Sequence, residues 1–183
     1  MKGIVLPGVY ERISITNTIH GSPGIRVRAF LFLNDLEMQL ILFVGIPGCG
    51  KSTLYKERFF HSHMRLSLDL LNTRNKEQRF LDLAFSLQQR VVIDNTNVLK
   101  DERRKYITQA KENRYEVIGY YFESILQDCI QRNENRIGQD KIEKVGVIAK
   151  FKQLQPPSID EGFDTLYFVK IEGDQFIVKS IVP

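Results

Sequence analysis

The chain has 183 residues, 43% of them hydrophobic and 26% charged, with a net charge of +4 and an isoelectric point near 9.0. That length suits one well-cored domain rather than two, and the composition excludes a wholly disordered or fibrous chain. The weak positive charge suits polyanionic partners without requiring one, and two cysteines, Cys49 and Cys129, are too few for a disulfide framework or a Cys-based zinc site. A reducing cytoplasm fits that usage. The most apolar stretch, residues 30–46, is interrupted by Asn34, Asp35, Glu37 and Gln39, so it reads neither as a membrane span nor as a signal-peptide core.

Residues 1–37 show no helical period. Pro7-Gly8, Gly21-Ser22-Pro23-Gly24 and Asn34-Asp35 cut them into short pieces, read as an N-terminal extension of unknown role. Met38 opens the expected catalytic domain, residues 38–183. Gln39 leads into Leu40 to Val44, a continuous apolar run of the kind required by a strand buried on both faces. It leads directly into Gly45-Ile46-Pro47-Gly48-Cys49-Gly50-Lys51-Ser52-Thr53, a phosphate loop. Glycines let such a backbone wrap closely around phosphate oxygens, and the following helix start offers free N–H groups with partial positive charge. Lys51 can reach the β and γ phosphates of ATP, and the Ser52 hydroxyl can ligate Mg²⁺. Cys49, in the same loop, reads as a tolerated loop residue in preference to a redox-sensitive thiol.

Beyond the loop, strands are expected at Met64 to Leu68, Val91 to Ile93, Glu116 to Phe122 and Thr165 to Val169, with amphipathic helices between them. That alternation indicates an α/β, three-layer fold with a mostly parallel sheet flanked by helices. Phe80, Leu81, Leu83, Ala84 and Leu87 are expected on one side of a helix within residues 75–90. Ser124 and Gln127 have the spacing of a capping box, and Pro156-Pro157 should stop a helix running from Lys144 to Leu154. A final strand over residues 175–182 should follow the turn at Gly173-Asp174 and pair antiparallel at an edge, as a C-terminal hairpin.

Asp69 falls at the carboxyl end of the second strand, the sheet edge where open α/β folds bind ligands. It can accept the proton of an attacking hydroxyl, or it can be a helix cap or a surface ion pair. Asp94 ends the third strand and heads Asp94-Asn95-Thr96-Asn97. A carboxylate there is suited to Mg²⁺ or its waters, although such a run can also be a self-satisfied turn. Arg132 and Arg136 would share a helix face before a break at Gly138, as a phosphate-clamping lid or as a solvated face paired with Glu134 or Asp140. His20, His61 and His63 show no metal-ligand spacing, and His61 and His63 are expected to flank an exposed turn. The run Asn75-Lys76-Glu77-Gln78 lacks the last Asp of a guanine-reading motif, which sets a GTPase aside.

In this order the features resemble the kinase domain of the polynucleotide 5′-hydroxyl kinases, among the AAA-type phosphate-loop kinases. The resemblance covers residues 38–170. It rests on Gly45 to Ser52, the Asp69 strand end and Val91-Val92-Ile93-Asp94-Asn95-Thr96-Asn97 with Arg103-Arg104 following. Arg132-Asn133 with Arg136, and Pro156-Pro157-Ser158-Ile159-Asp160-Glu161-Gly162-Phe163-Asp164, complete it. It implies transfer of the γ-phosphoryl group of ATP to the 5′-hydroxyl of a nucleic-acid end, with Asp69 as general base and Lys51 and Ser52 as the phosphate and Mg²⁺ ligands. It further implies a lid made of Arg132 and Arg136, and an acceptor side shaped by Thr96, Asn97 and Arg104. Where the family often carries an arginine three residues after the catalytic Asp, this chain has Asn72, and Arg74 is the nearest arginine. No Asp-x-Asp-x-Thr phosphatase motif occurs. Two other readings stay open: a kinase of a small hydroxylated metabolite, nucleoside or antibiotic, and a non-catalytic ATP-binding module.

Overall fold

The computed structural model describes residues 38–136, 141–173 and 175–181. The expectations for residues 1–37, the Gly138 break, Asp140, Asp174 and Val182 lie outside them. Six strands form one sheet: β1 Gln39–Val44, β2 Met64–Leu66, β3 Val91–Ile93, β4 Glu116–Phe122, β5 Thr165–Glu172 and β6 Gln175–Ser180. Their order is β2-β3-β1-β4-β5-β6. The first five run parallel, and β6 pairs antiparallel with β5, as the turn chemistry led one to expect.

The apolar run of β1 is shared between two cores because strand side chains alternate faces. Leu40 and Leu42 pack on one side with α3 (Arg74–Ser86) and α4 (Lys100–Glu112). Ile41 and Phe43 pack on the other with α1 (Lys51–Leu54), α5 (Leu126–Glu134) and α6 (Lys144–Gln153). This gives three layers, helices over both faces of a mostly parallel sheet. α1 continues as one π-helical turn, Tyr55–Phe59. A short α2, Leu68–Leu71, follows β2. Among the described residues no helix is long and apolar enough to cross a membrane.

Four local expectations are corrected. β2 stops at Leu66, so Asp69 lies in the first turn of α2 instead of at the strand end. On α3 the buried face is Glu77, Leu81, Ala84 and Phe85. Phe80, Leu83 and Leu87 stay exposed on the neighbouring stripe, because 3.6 residues per turn sets positions 77, 81 and 84 apart from 80, 83 and 87. α5 opens after Ile125 with no side-chain cap. Ser124 instead donates to the Phe122 carbonyl and accepts from the Ile46 N–H. Finally, His63 is buried, edge-on to Phe59, with its backbone carbonyl accepting from the Tyr55 hydroxyl.

Two ionisable groups tie this frame together. Arg103 of α4 is fully buried and grips Glu161 with two bonds of 2.7 Å. Its remaining donors reach the carbonyls of Asn97, Val98 and Gln155. It thereby fastens the loop after β3 to the chain beyond α6. Removing one member of a buried ion pair strands the other charge. Glu161→Ala should lower the unfolding free energy by about 3–5 kcal/mol in urea titrations, and a loss below about 1 kcal/mol would class the pair with surface bridges.

Burial, reinforced by Arg90, pushes the His63 imidazole from 6.5 down to about 4. The unfolded chain therefore takes up this proton first. Its stabilising contribution is complete above pH 6.5 and is lost as the pH falls toward about 4. His63→Phe should flatten the stability slope across that window. An unchanged slope would mean that other groups carry it.

Candidate active site

The site forms at the carboxyl edge of the sheet, where β1 runs into the loop Gly45 to Ser52. Gly48 has φ +85°, and a side-chain carbon on it would come within 2.3 Å of the Cys129 carbonyl oxygen on α5. Gly50, at φ +98°, packs against Ile171 and Phe176 of the β5-β6 hairpin. Only glycine suits both positions, so the loop is clasped between α5 and the hairpin. Pro47 and Cys49 are buried in it, whereas Thr53 is exposed on α1. No side chain caps α1 at Gly50, leaving its first N–H groups to the loop's concave side.

Lys51 is folded back, donating to the carbonyls of Gly45 at 3.0 Å and Ile46 at 2.8 Å, with Cys49 Sγ at 3.6 Å. A cation poised over carbonyls can exchange them for phosphate oxygens by side-chain rotation alone. Ser52 donates to Asp94 Oδ2 at 2.8 Å. The Asp94 side chain is only 1% exposed. The same carboxylate oxygen accepts from Arg65 Nε at 2.8 Å, and Arg65 Nη2 also lies 3.1 Å from Ser52 Oγ. Ser52 and Asp94, assigned to the metal from sequence, are thus in direct contact. A hydroxyl beside a carboxylate is an oxygen-only donor set of the kind a hard divalent cation prefers.

The run after β3 is a strap. Asp94 N–H bonds Leu66 O, and Gly45 N–H bonds Thr96 O. Asn97, at φ +45°, donates to Phe43 O at 2.8 Å. Asn95 accepts from the Leu68 N–H at 2.9 Å and donates to Glu77 at 2.5 Å. The start of α2, and Asp69 with it, is therefore pinned to the end of β3, and the Asp69 side chain faces solvent. Tyr106 donates to Glu77, and Arg74 donates to both of them. Burial and Glu77 push the Tyr106 hydroxyl up, so it stays protonated. Asn72 closes α2 at φ +63°, a left-handed position that asparagine tolerates and arginine does not favour.

Arg132 of α5 donates to Gly48 O at 2.9 Å, placing a guanidinium on the phosphate loop. Arg136 lies beyond the Asn135 cap, so it does not share a helix face with Arg132 as the spacing suggested. Arg104 pairs with Asp101 on the exposed side of α4, while the buried arginine is its neighbour Arg103. Burial, reinforced by Cys49, raises the Cys129 thiol to about 11, which makes it a poor nucleophile. The sequence pattern did not mark Arg65, and it marked Ser124 only as a helix cap, whereas its hydroxyl accepts from the loop's Ile46 N–H. The one available signal was a charged residue alternating with apolar ones in β2.

A family model described as an AAA domain matches residues 40–155. The chain is 26% identical over 136 residues to the bifunctional polynucleotide phosphatase/kinase of Schizosaccharomyces pombe, covering 72% of this chain and 33% of that protein. It is 34% identical over 81 residues to a putative bifunctional polynucleotide phosphatase/kinase of Acanthamoeba polyphaga mimivirus, covering 44% and 19%. It thus spans a third or less of these relatives. The fold also matches a chain of the Pnkp1/Rnl/Hen1 RNA repair complex, with a TM-score of 0.53 at 19% identity over 65% of this chain and 44% of that one.

Gly48→Ala combines a positive φ with a clash against backbone. It should weaken binding of a non-hydrolysable ATP analogue with Mg²⁺ at least about tenfold in calorimetric titration. Wild-type affinity would show that the loop does not hold the phosphates.

Proposed function

This chain belongs to the AAA domain family of phosphate-loop proteins, and from that premise we propose that it is an ATP-dependent kinase acting on the 5′-hydroxyl of a nucleic-acid end. The observation that carries the reading is the convergence on one sheet edge of Lys51, the Ser52–Asp94 pair and Arg132, with Asp69 on a helix pinned to the same strand end by Asn95. Relatives named as polynucleotide phosphatase/kinases support the acceptor class.

Bound ATP and Mg²⁺ would supply the transferable phosphoryl group and neutralise charge developing on its oxygens. The chain's own residues do the rest. Gly45, Pro47, Gly48, Cys49 and Gly50 shape the cradle, with Thr53 beginning its helix. Lys51 turns from the loop carbonyls toward the phosphates, and Ser52 and Asp94 hold the metal's side. Arg132, joined by Arg136, stabilises the charge spreading over the γ-phosphoryl oxygens. Asp69, exposed to an approaching acceptor, takes the hydroxyl proton. Thr96 and Asn97 act on the acceptor side through the loop they fasten, Arg74 through its contacts with Glu77 and Tyr106, and Arg104 from the outer face of α4.

A second reading, a kinase of a small hydroxylated acceptor, draws on two neighbouring positions. Asn72 carries no charge toward an acceptor phosphate, and Arg74 is engaged by Glu77 and Tyr106. The two readings separate by salt, because only contacts to a polyanion are steeply salt-sensitive. With γ-labelled ATP, label should pass to 5′-OH oligonucleotides, with Asp69→Asn lowering turnover by about 10²–10⁴. Labelling of nucleosides or sugars but of no DNA or RNA end would overturn the nucleic-acid assignment.

A further inference from the structure

In β2 the side chains alternate, so Met64 and Leu66 serve one core while Arg65 points to the opposite face. There Arg65 meets the two groups read as the metal's ligands. Its guanidinium lies 2.6 Å and 2.8 Å from Asp94 Oδ2. It also donates to Ser52 Oγ at 3.1 Å and rests on the Tyr55 ring at 5.7 Å. Ser52 Oγ gives its own proton to Asp94, and one of its lone pairs is taken by Arg65. A divalent ion needs that same oxygen and the same carboxylate charge. The site therefore contains a built-in cation.

We propose that Arg65 is a positioning residue that acts as an internal counter-cation. It neutralises Asp94 and orients Ser52 in the nucleotide-free protein, and it opposes a divalent ion until the charge of a triphosphate is present. Three features support this over a purely structural ion pair. The Arg65 side chain keeps 22% of its surface exposed, against 1% for Asp94, so the guanidinium has room to move and the carboxylate does not. Arg65 bridges both groups and not the carboxylate alone. Its platform, Tyr55, lies in the π-helical turn that continues the phosphate-loop helix, so loop and guanidinium are mechanically linked. The consequence is ordered loading, in which metal is held firmly only together with nucleotide. Like charges a few ångströms apart and partly shielded from solvent repel strongly enough to change a binding constant by an order of magnitude.

The inference rests on the reading of Ser52 and Asp94 as the metal's side of the site. It is tested by Mn²⁺ binding followed by electron paramagnetic resonance, with and without a non-hydrolysable ATP analogue, alongside thermal melts in chelator. Without nucleotide, Arg65→Gln and Arg65→Met should each bind Mn²⁺ at least about tenfold more tightly than wild type. Arg65→Lys, which keeps the charge, should stay within about threefold of wild type. A merely structural role would lower the melting temperature of all three variants without raising Mn²⁺ affinity in the neutral ones, and that result overturns the proposal. Ser52→Ala separates the two levels. If it leaves Mn²⁺ binding with the analogue intact, the metal site itself is misread. If it removes that binding while the neutral Arg65 variants match wild type, only the role of Arg65 fails.

Discussion

A carboxylate as buried as that of Asp94 is costly to desolvate and survives in the folded chain only when donors surround it. Here the donors come from two other elements, Ser52 at the start of α1 and Arg65 in β2. Satisfying one charge therefore fixes the phosphate-loop helix, the end of β3 and the edge strand relative to one another. The remaining site residues hang from that joint. Gly45 is tied to Thr96, and Leu68 to Asn95 one residue beyond Asp94.

The polar run after β3 carries two kinds of function at once. Asp94 turns its carboxylate to Ser52 and Arg65, whereas Asn95, Thr96 and Asn97 spend their hydrogen bonds on α2, Gly45 and Phe43. The closing segment is similar, since Glu161 serves as the partner of Arg103. Asn95 to Asn97 and Glu161, all parts of the family resemblance, thus make contacts that are largely architectural. They hold the start of α2 and the phosphate loop against the end of β3, which fixes where Asp69 and Lys51 stand.

The sheet was legible because its central strands are largely apolar runs, and the phosphate loop because its glycines, lysine and serine fall within eight consecutive residues. Asp94 was legible as the residue that ends an apolar strand. Arg65 was not, because its partners lie 13 and 29 positions away along the chain, and no local pattern announces a contact between distant elements. Arg103 and Arg104 are adjacent, and only the phase of α4 decides which one is buried. The same limit explains α3, where Phe80, Leu83 and Leu87 share an exposed stripe beside the buried one, and α5, which ends before Arg136. Pattern reading finds what is consecutive or periodic. Contacts distant in sequence, helix phase and helix ends need the fold.

In the proposed function Gly45 to Ser52 receives the phosphates and Lys51 moves to meet them. The most direct measurement is a crystal structure with a non-hydrolysable ATP analogue and Mg²⁺. The β and γ phosphates are expected inside the loop, with Lys51 Nζ transferred from the Gly45 and Ile46 carbonyls to phosphate oxygens and Arg132 beside them. Nucleotide bound elsewhere, or Lys51 still on those carbonyls beneath a bound triphosphate, would contradict that reading.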